Sequence, residues 1–264
     1  MEILKDGEKT LQEIKKVLPR DIVRSVALKT GKQVYTATNV SIVLRVLTRM
    51  GIVISEKAPG TLSITKGNQY ALLKEKYPRL RLNSIGKEKA KIMLVKRYIE
   101  AFGPVTEEDI VWWTGFNTTE IKKMFQKIKK ELIHVRIRGF NRKYLMLKRD
   151  YETFHKFKPS DTRSAVLLPF EDPYTKGYKI RDRLIEPSLE KKVYVGGGVQ
   201  PTILLDGKII GTWNRDIEEG KGSIKLNIFS HVGKDLERKL VEKANAIGKL
   251  MSNHEVNIEV CMHD

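Results

Sequence analysis

The sequence predicts an α+β fold: tandem winged helix-turn-helix units followed by a C-terminal β-barrel-like domain with a late helix. Three observations carry this. In each of two stretches, 1–78 and 88–150, apolar residues recur at helical spacing in three segments, and strand-like runs follow. The stretches also superpose at an offset of 81, so that Val40, Val43, Leu44 and Leu47 fall on Ile121, Met124, Phe125 and Ile128. Ile52 and Ile54 then fall on Ile133 and Val135, and duplication of one unit is the economical account. From 160 to 264 the pattern becomes tightly turning β-structure.

In the first unit Thr10 caps a helix with Glu13 three positions on; Leu11, Ile14 and Leu18 form its stripe, and Pro19 stops it. A second helix is expected over 22–28, ended by Gly31. Thr38 or Asn39 caps the third, whose stripe runs through Val40, Val43, Leu44, Leu47 and Met50 to a stop at Gly51. Residues 52–55, a Pro59-Gly60 turn and residues 61–73 complete a hairpin. In the second unit a long helix over 88–102 carries Ile92, Val95, Ile99 and Phe102. Gly103-Pro104-Val105-Thr106 breaks it. A short helix then opens on Glu107, Glu108 and Asp109, whose charges suit a helix N-terminus and need no further explanation. Gly115 ends it, and a third helix carries Ile121, Met124, Phe125, Ile128 and Leu132. Strand-like 133–138 and 143–147 flank Gly139.

The stretch 167–213 organises the C-terminal domain. Asp206-Gly207 accepts the positive φ angles of a two-residue hairpin turn between strands over 202–205 and 208–210. The triplet Gly196-Gly197-Gly198 permits a sharp bend or a close backbone approach, and it lacks the Lys-Ser/Thr ending of a phosphate-binding loop. A helix over 231–250 and a last strand over 256–260 complete the domain. Glu171 and Asp172 are adjacent, so in a strand they point to opposite faces, whereas in a turn both can face one cleft.

The balance of 50 Lys+Arg against 32 Asp+Glu gives a net charge of +18, which points to a polyanion. Cys261 alone excludes an internal disulfide and a cysteine-rich zinc site, and the five histidines show no ligand spacing, so no metal and no cofactor is expected. No apolar run reaches the length of a membrane span, and no signal sequence opens the chain, so a cytoplasmic protein with no membrane partner is expected. No leucine-rich dimer helix is evident, which favours a monomer.

In a helix-turn-helix the second helix of the motif meets bases and phosphates. That helix offers Asn39, Ser41, Arg45 and Arg49 in the first unit, and Lys122, Lys123, Lys127, Lys129 and Lys130 in the second. Arg and Asn can read base edges bidentately, whereas Lys grips phosphate as a point charge. Arg136, Arg138, Arg142 and Lys143 around Gly139 extend the second patch. In the C-terminal domain Tyr174 and Tyr178 interleave with Lys176, Lys179, Arg181 and Arg183. The aromatics either stack on an extruded base or fill a strand pair's core while the cations face out. With Asp172 and Trp213 these residues are candidates for a nucleotide pocket.

Leu167-Leu-Pro-Phe-Glu-Asp-Pro-Tyr174, Gly177-Tyr-Lys-Ile-Arg181, Gly196-Gly-Gly-Val-Gln-Pro-Thr-Ile-Leu-Leu-Asp-Gly207 and Gly211-Thr-Trp213 together resemble the C-terminal domain of the AlkZ-like (YcaQ-like) winged-helix DNA glycosylases. Phe102-Gly-Pro-Val-Thr106 with Trp113-Thr-Gly115 is similar to that family's third winged helix, and 1–78 to its second. The resemblance implies duplex DNA, damaged duplex included, as partner. It also implies an N-terminal winged helix with a Gln-x-Gln or Gln-x-Asp pair that positions the attacking water. None of the five glutamines (Gln12, Gln33, Gln69, Gln126, Gln200) has that spacing, and by this resemblance residue 1 already sits in the second winged helix, so no catalytic residue carries over. The expectation is a DNA-binding relative of repair glycosylases without its own catalytic centre. Two alternatives remain: an active glycosylase using an acid such as Asp172, and a transcription regulator with tandem winged helices.

Overall fold

The computed structural model describes residues 2–30, 33–57, 68–82, 84–158, 162–218, 221–252 and 256–263. They fall into two compact units, Met1–Gly86 and Lys87–Asp264.

In the first unit β1 (Lys9–Thr10) leads into α1 (Leu11–Val17), capped by Thr10 with Glu13 in a capping box. The expected second helix is absent. Its residues form β2 (Ser25–Thr30), antiparallel to β3 (Gln33–Thr38) in a sheet of two strands. The reason lies in composition: Ser25-Val-Ala-Leu-Lys-Thr and Gln33-Val-Tyr-Thr-Ala-Thr are two β-prone runs, and Thr30 pairs with Gln33 across only two intervening residues. Next come α2 (Asn39–Arg49), capped by Thr38, β4 (Val53–Lys57), β5 (Asn68–Leu72) and the short α3 (Leu73–Lys76). β5 is central in a three-stranded sheet ordered β1-β5-β4. The core gathers Leu4, Ile14, Val40, Leu44, Val53 and Leu72. The expected Pro59-Gly60 turn and Gly31 lie outside the described residues.

The second unit opens with α4 (Lys87–Phe102), α5 (Glu107–Thr114) and α6 (Thr118–Ile128), then the hairpin β6 (Leu132–Val135) and β7 (Tyr144–Leu147) and the helix α7 (Lys148–Lys156). Val105 bridges Leu145 of β7 through both backbone bonds, at 3.0 and 2.7 Å. The elements that correspond between the two stretches are the helices α2 and α6 and the strands that follow them, β4 and β6. Where the second unit packs α5 on α6, the first has a β-ribbon, so Val43 is 53% exposed while its counterpart Met124 is 3% exposed.

The C-terminal part is not barrel-like. It is an open five-stranded sheet ordered β14-β13-β12-β11-β8, made of β8 (Ala165–Leu168), β11 (Thr202–Leu205), β12 (Lys208–Glu218), β13 (Lys221–Ile228) and β14 (Asn257–Met262). Between β8 and β11 lie the short helices α8 (Pro173–Lys176) and α9 (Glu190–Val193) and the hairpin β9 (Tyr194–Val195) and β10 (Gly198–Val199). The β13–β14 pair is parallel, which demands a crossover, and α10 (Lys234–Ser252) supplies it while packing on β8 and β13. That helix covers one face of the sheet instead of letting the edges meet. Asp206 (φ 50°) and Gly207 (φ 81°) make the expected turn between β11 and β12. Gly196 (φ 61°) and Gly197 (φ 82°) make a second such turn, so the triplet closes the β9–β10 hairpin. One apolar core runs from Val95, Tyr98 and Ile121 through Tyr178, Leu184 and Val193 to Leu204 and Ile209, joining α4–α6 to the sheet.

Candidate nucleic-acid interface

Helix α6 is set by its own sequence. Asn117 Oδ1 accepts from the Glu120 amide at 2.9 Å, and the Glu120 carboxylate accepts from the Asn117 amide at 3.3 Å. Ile121, Met124 and Ile128 are buried, each worth about 1.5–3 kcal/mol of transfer free energy. This fixes the opposite face outward: Lys122, Lys123, Lys127, Lys129 and Lys130 are all exposed. Lys127 approaches Glu88 at 3.3 Å, whereas Lys122, Lys123 and Lys130 have no carboxylate partner among the described residues. The β7 strand is wholly buried, which anchors the loop carrying Arg136, Arg138, Arg142 and Lys143. All four are exposed, and among the described residues only Arg142 is paired, with Asp182 at 3.5 Å. Helix and loop thus each expose cations over a buried base.

In the first unit the structure divides the candidates. Asn39 is held inside: its Oδ1 accepts from the Arg24 amide at 3.0 Å and its Nδ2 donates to Ile22 O at 2.8 Å. The Ser41 hydroxyl donates to Thr38 O at 2.7 Å as part of the cap. Neither is available to bases. Arg45 and Arg49, one helical turn apart on α2, are exposed and unpaired among the described residues.

The proposed nucleotide-pocket residues are engaged within the protein. Asp172 caps α8, accepting from the Tyr174 amide at 2.9 Å. The Tyr174 hydroxyl donates to Gly207 O at 2.9 Å, bracing the β11–β12 turn. Tyr178 is 7% exposed, its hydroxyl donates to Phe102 O at 2.9 Å, and burial pushes its phenol up to about 12. Arg181 pairs with Glu190 at 2.7 Å and lies 3.7 Å from the Tyr194 ring centroid. Arg183 donates to Pro104 O at 2.9 Å and lies over Tyr144 and Tyr178. Trp213 is 7% exposed and donates to Leu168 O at 2.8 Å. Segment 177–184 is thus a strap between α4, α5 and the sheet, not a strand pair.

Two residues of this strap system carry more than their sequence context implies. Asp109 is fully buried. Its Oδ2 accepts from the Thr106 amide and hydroxyl at 2.9 and 2.7 Å, and its Oδ1 accepts from the amides of Lys179 and Ile180 at 2.8 and 2.9 Å. The helix N-terminus explains half of these bonds; the other half tie α5 to the strap. Glu171 (φ 61°) accepts from the Val199 amide at 2.6 Å and pairs with Lys176, which fixes the β9–β10 hairpin. No local sequence signal marks either long-range bond.

The family model described as "DNA glycosylase AlkZ-like" matches residues 1–250. The chain belongs to the AlkZ-like family. A curated relative, the interstrand DNA cross-link repair glycosylase of Streptomyces sahachiroi, is 28% identical over 125 residues, which are 46% of this chain and 33% of that protein. The solved structure of the DNA glycosylase AlkZ from the same organism superposes with a TM-score of 0.65 at 22% identity, over 83% of this chain and 57% of that one. The AlkZ-like chain thus shares that fold, and it spans little more than half the length of the solved relative. No helix among the described residues is long and apolar enough to cross a membrane.

Proposed function

We propose that this AlkZ-like chain binds duplex DNA through winged-helix units and holds no catalytic centre within residues 1–264. In the second unit α6 takes the place of the recognition helix and the β6–β7 loop that of the wing, both gripping phosphates. The observation that carries this is the exposed, unpaired set Lys122, Lys123, Lys130, Arg136, Arg138 and Lys143 on an anchored scaffold. Such cations displace condensed counterions from duplex DNA, which makes binding steeply salt-dependent. In the first unit Arg45 and Arg49 are the pair able to reach base edges. The absence of catalysis rests on the five glutamines, none of which has the family spacing, and on Glu171 and Asp172, both held by backbone amides. The relative that acts on interstrand cross-links makes damaged duplex the first ligand to try.

Binding to unmodified and alkylated duplexes is measured from about 50 to 200 mM salt, with wild type and the Lys122→Ala/Lys123→Ala variant. The variant should lower the salt slope by about one unit per lost phosphate contact, alike for all duplexes. Wild-type affinity that stays flat with salt overturns the reading. Alkylated duplex should yield no abasic sites; release that disappears in Asp172→Asn overturns the non-catalytic part alone.

A further inference from the structure

Among the described residues the ribbon of β2 and β3 pairs with no other strand. An isolated two-stranded hairpin is marginal in water, so such an arm persists where its root is held or a partner covers it. Its register puts Ala27 with Thr36 and Lys29 with Val34 on one face, and Val26 with Ala37 and Leu28 with Tyr35 on the other. The first face is exposed along all four of these residues, while the second is half-buried at Val26, Ala37 and Leu28 and opens at Tyr35. Both faces therefore carry an exposed large apolar group: Val34 is 66% and Tyr35 42% exposed.

The root is firmly held. Asn39 links the strand leading into β2 to the first turn of α2 through Ile22 O and the Arg24 amide. Thr38 closes β3 and caps α2 in the same step. Arm and helix are thus one piece, with Arg45 and Arg49 exposed on that helix. Charge identifies the partner. From Ile22 to Ile54 the sequence contains no Asp or Glu, yet it holds Arg24, Lys29, Lys32, Arg45 and Arg49. A stretch with cations, no acids and exposed apolar groups suits a polyanion with stacked apolar interior far better than a protein surface of mixed charge.

We infer that the β2–β3 ribbon enters a groove of the duplex and sets Val34 and Tyr35 against the bases. This rests on the DNA-binding reading above and deepens it. The major groove admits a two-stranded ribbon, and apolar side chains inserted between base steps unstack them. The ribbon then supplies contact energy that carries no charge, complementary to the phosphate grip of α6.

The test uses the full chain and the Val34→Ser/Tyr35→Ser variant, with Tyr35→Phe as the conservative control. Circular dichroism establishes that each is folded. Binding is read on duplexes containing 2-aminopurine, whose fluorescence rises on unstacking. The double variant should bind about tenfold more weakly with an unchanged salt slope, and the fluorescence rise should vanish, while Tyr35→Phe retains both. Salt-sensitive wild-type binding that the double variant reproduces in affinity and fluorescence overturns the ribbon's role and leaves the phosphate grip intact. No salt-sensitive wild-type binding overturns both readings. A wild-type dimer that the double variant converts to monomer in sedimentation makes the ribbon a subunit contact and overturns the inference.

Discussion

Replacing Asp109 with Ala should destabilise the second unit far more than its place in a helix N-terminus suggests. The carboxylate is fully buried and accepts four hydrogen bonds, three of them from backbone amides at Thr106, Lys179 and Ile180. Truncation leaves those amides without a partner in a closed site, and each orphaned donor costs about 1–3 kcal/mol. Water entering the space left by the side chain recovers part of this, so a net loss of roughly 3–5 kcal/mol is expected. At about 2–4 °C per kcal/mol for a unit of this size, the thermal midpoint falls by roughly 10 °C. Asp109→Asn keeps the volume but turns one oxygen into a donor facing donors, for a loss of about 2 kcal/mol. The control is Glu108→Ala, which removes an exposed acid from the same helical turn and should cost less than about 1 kcal/mol. Urea unfolding followed by circular dichroism measures all three. If Asp109→Ala costs no more than Glu108→Ala, the residue serves the helix end alone and the tie to the strap carries no stability.

Further expectations follow from single contacts. Gly177→Ala should destabilise by about 1–3 kcal/mol in the same assay, because an added Cβ lies 2.5 Å from the Phe102 ring and 2.9 Å from Pro173 O, although the backbone itself suits alanine. Arg45→Ala should flatten any sequence or lesion preference across a duplex panel while largely sparing non-specific affinity; a loss that is uniform over all duplexes makes Arg45 one more phosphate contact. Acid should weaken the fold through Glu120 and Asp206, held below the usual carboxylate range by Lys91 and by the Ser164 amide respectively. For a lowered folded-state value the stabilisation is full above the unfolded value and is lost as pH falls through the folded one. Stability should thus decline below about pH 4, and Glu120→Gln should decline less steeply over that window.

What was legible in the sequence is what local patterning dictates. The capping box at Thr10, the amphipathic α6 and the Asp206-Gly207 turn all sit where residue spacing puts them. The ribbon was misread because Ile22, Val23, Val26 and Leu28 also fit a helical stripe over so short a window; the competing signal is a Gly-containing pair between two β-prone runs. The open sheet was illegible for a different reason. Strands mark themselves locally, but whether their edges meet depends on the parallel β13–β14 pair and on α10 lying across the face. The bonds of Asp109 to Lys179 and Ile180 cross some 70 residues, and no spacing rule encodes them.

The fate of the motif residues bears on how family membership relates to chemistry. Gly177, Tyr178, Arg181 and Trp213 carry the resemblance, and each is spent on packing or on a bond within the protein. Gly196, Gly197 and Gly207 set turns. This signature therefore encodes how the sheet is strapped to α4 and α5, and a chain can keep it whole with or without a reacting group elsewhere. The cations of α6 and the β6–β7 loop behave in the opposite way. They fill no space in the core, and most pair with no acid, so the fold gives no reason for their charge. Leu, Gln or Ser at those exposed positions would serve the scaffold nearly as well, to within about 0.5 kcal/mol each. Charge that the scaffold does not need, concentrated on one helix and the loop that follows it, is what the proposed phosphate grip rests on.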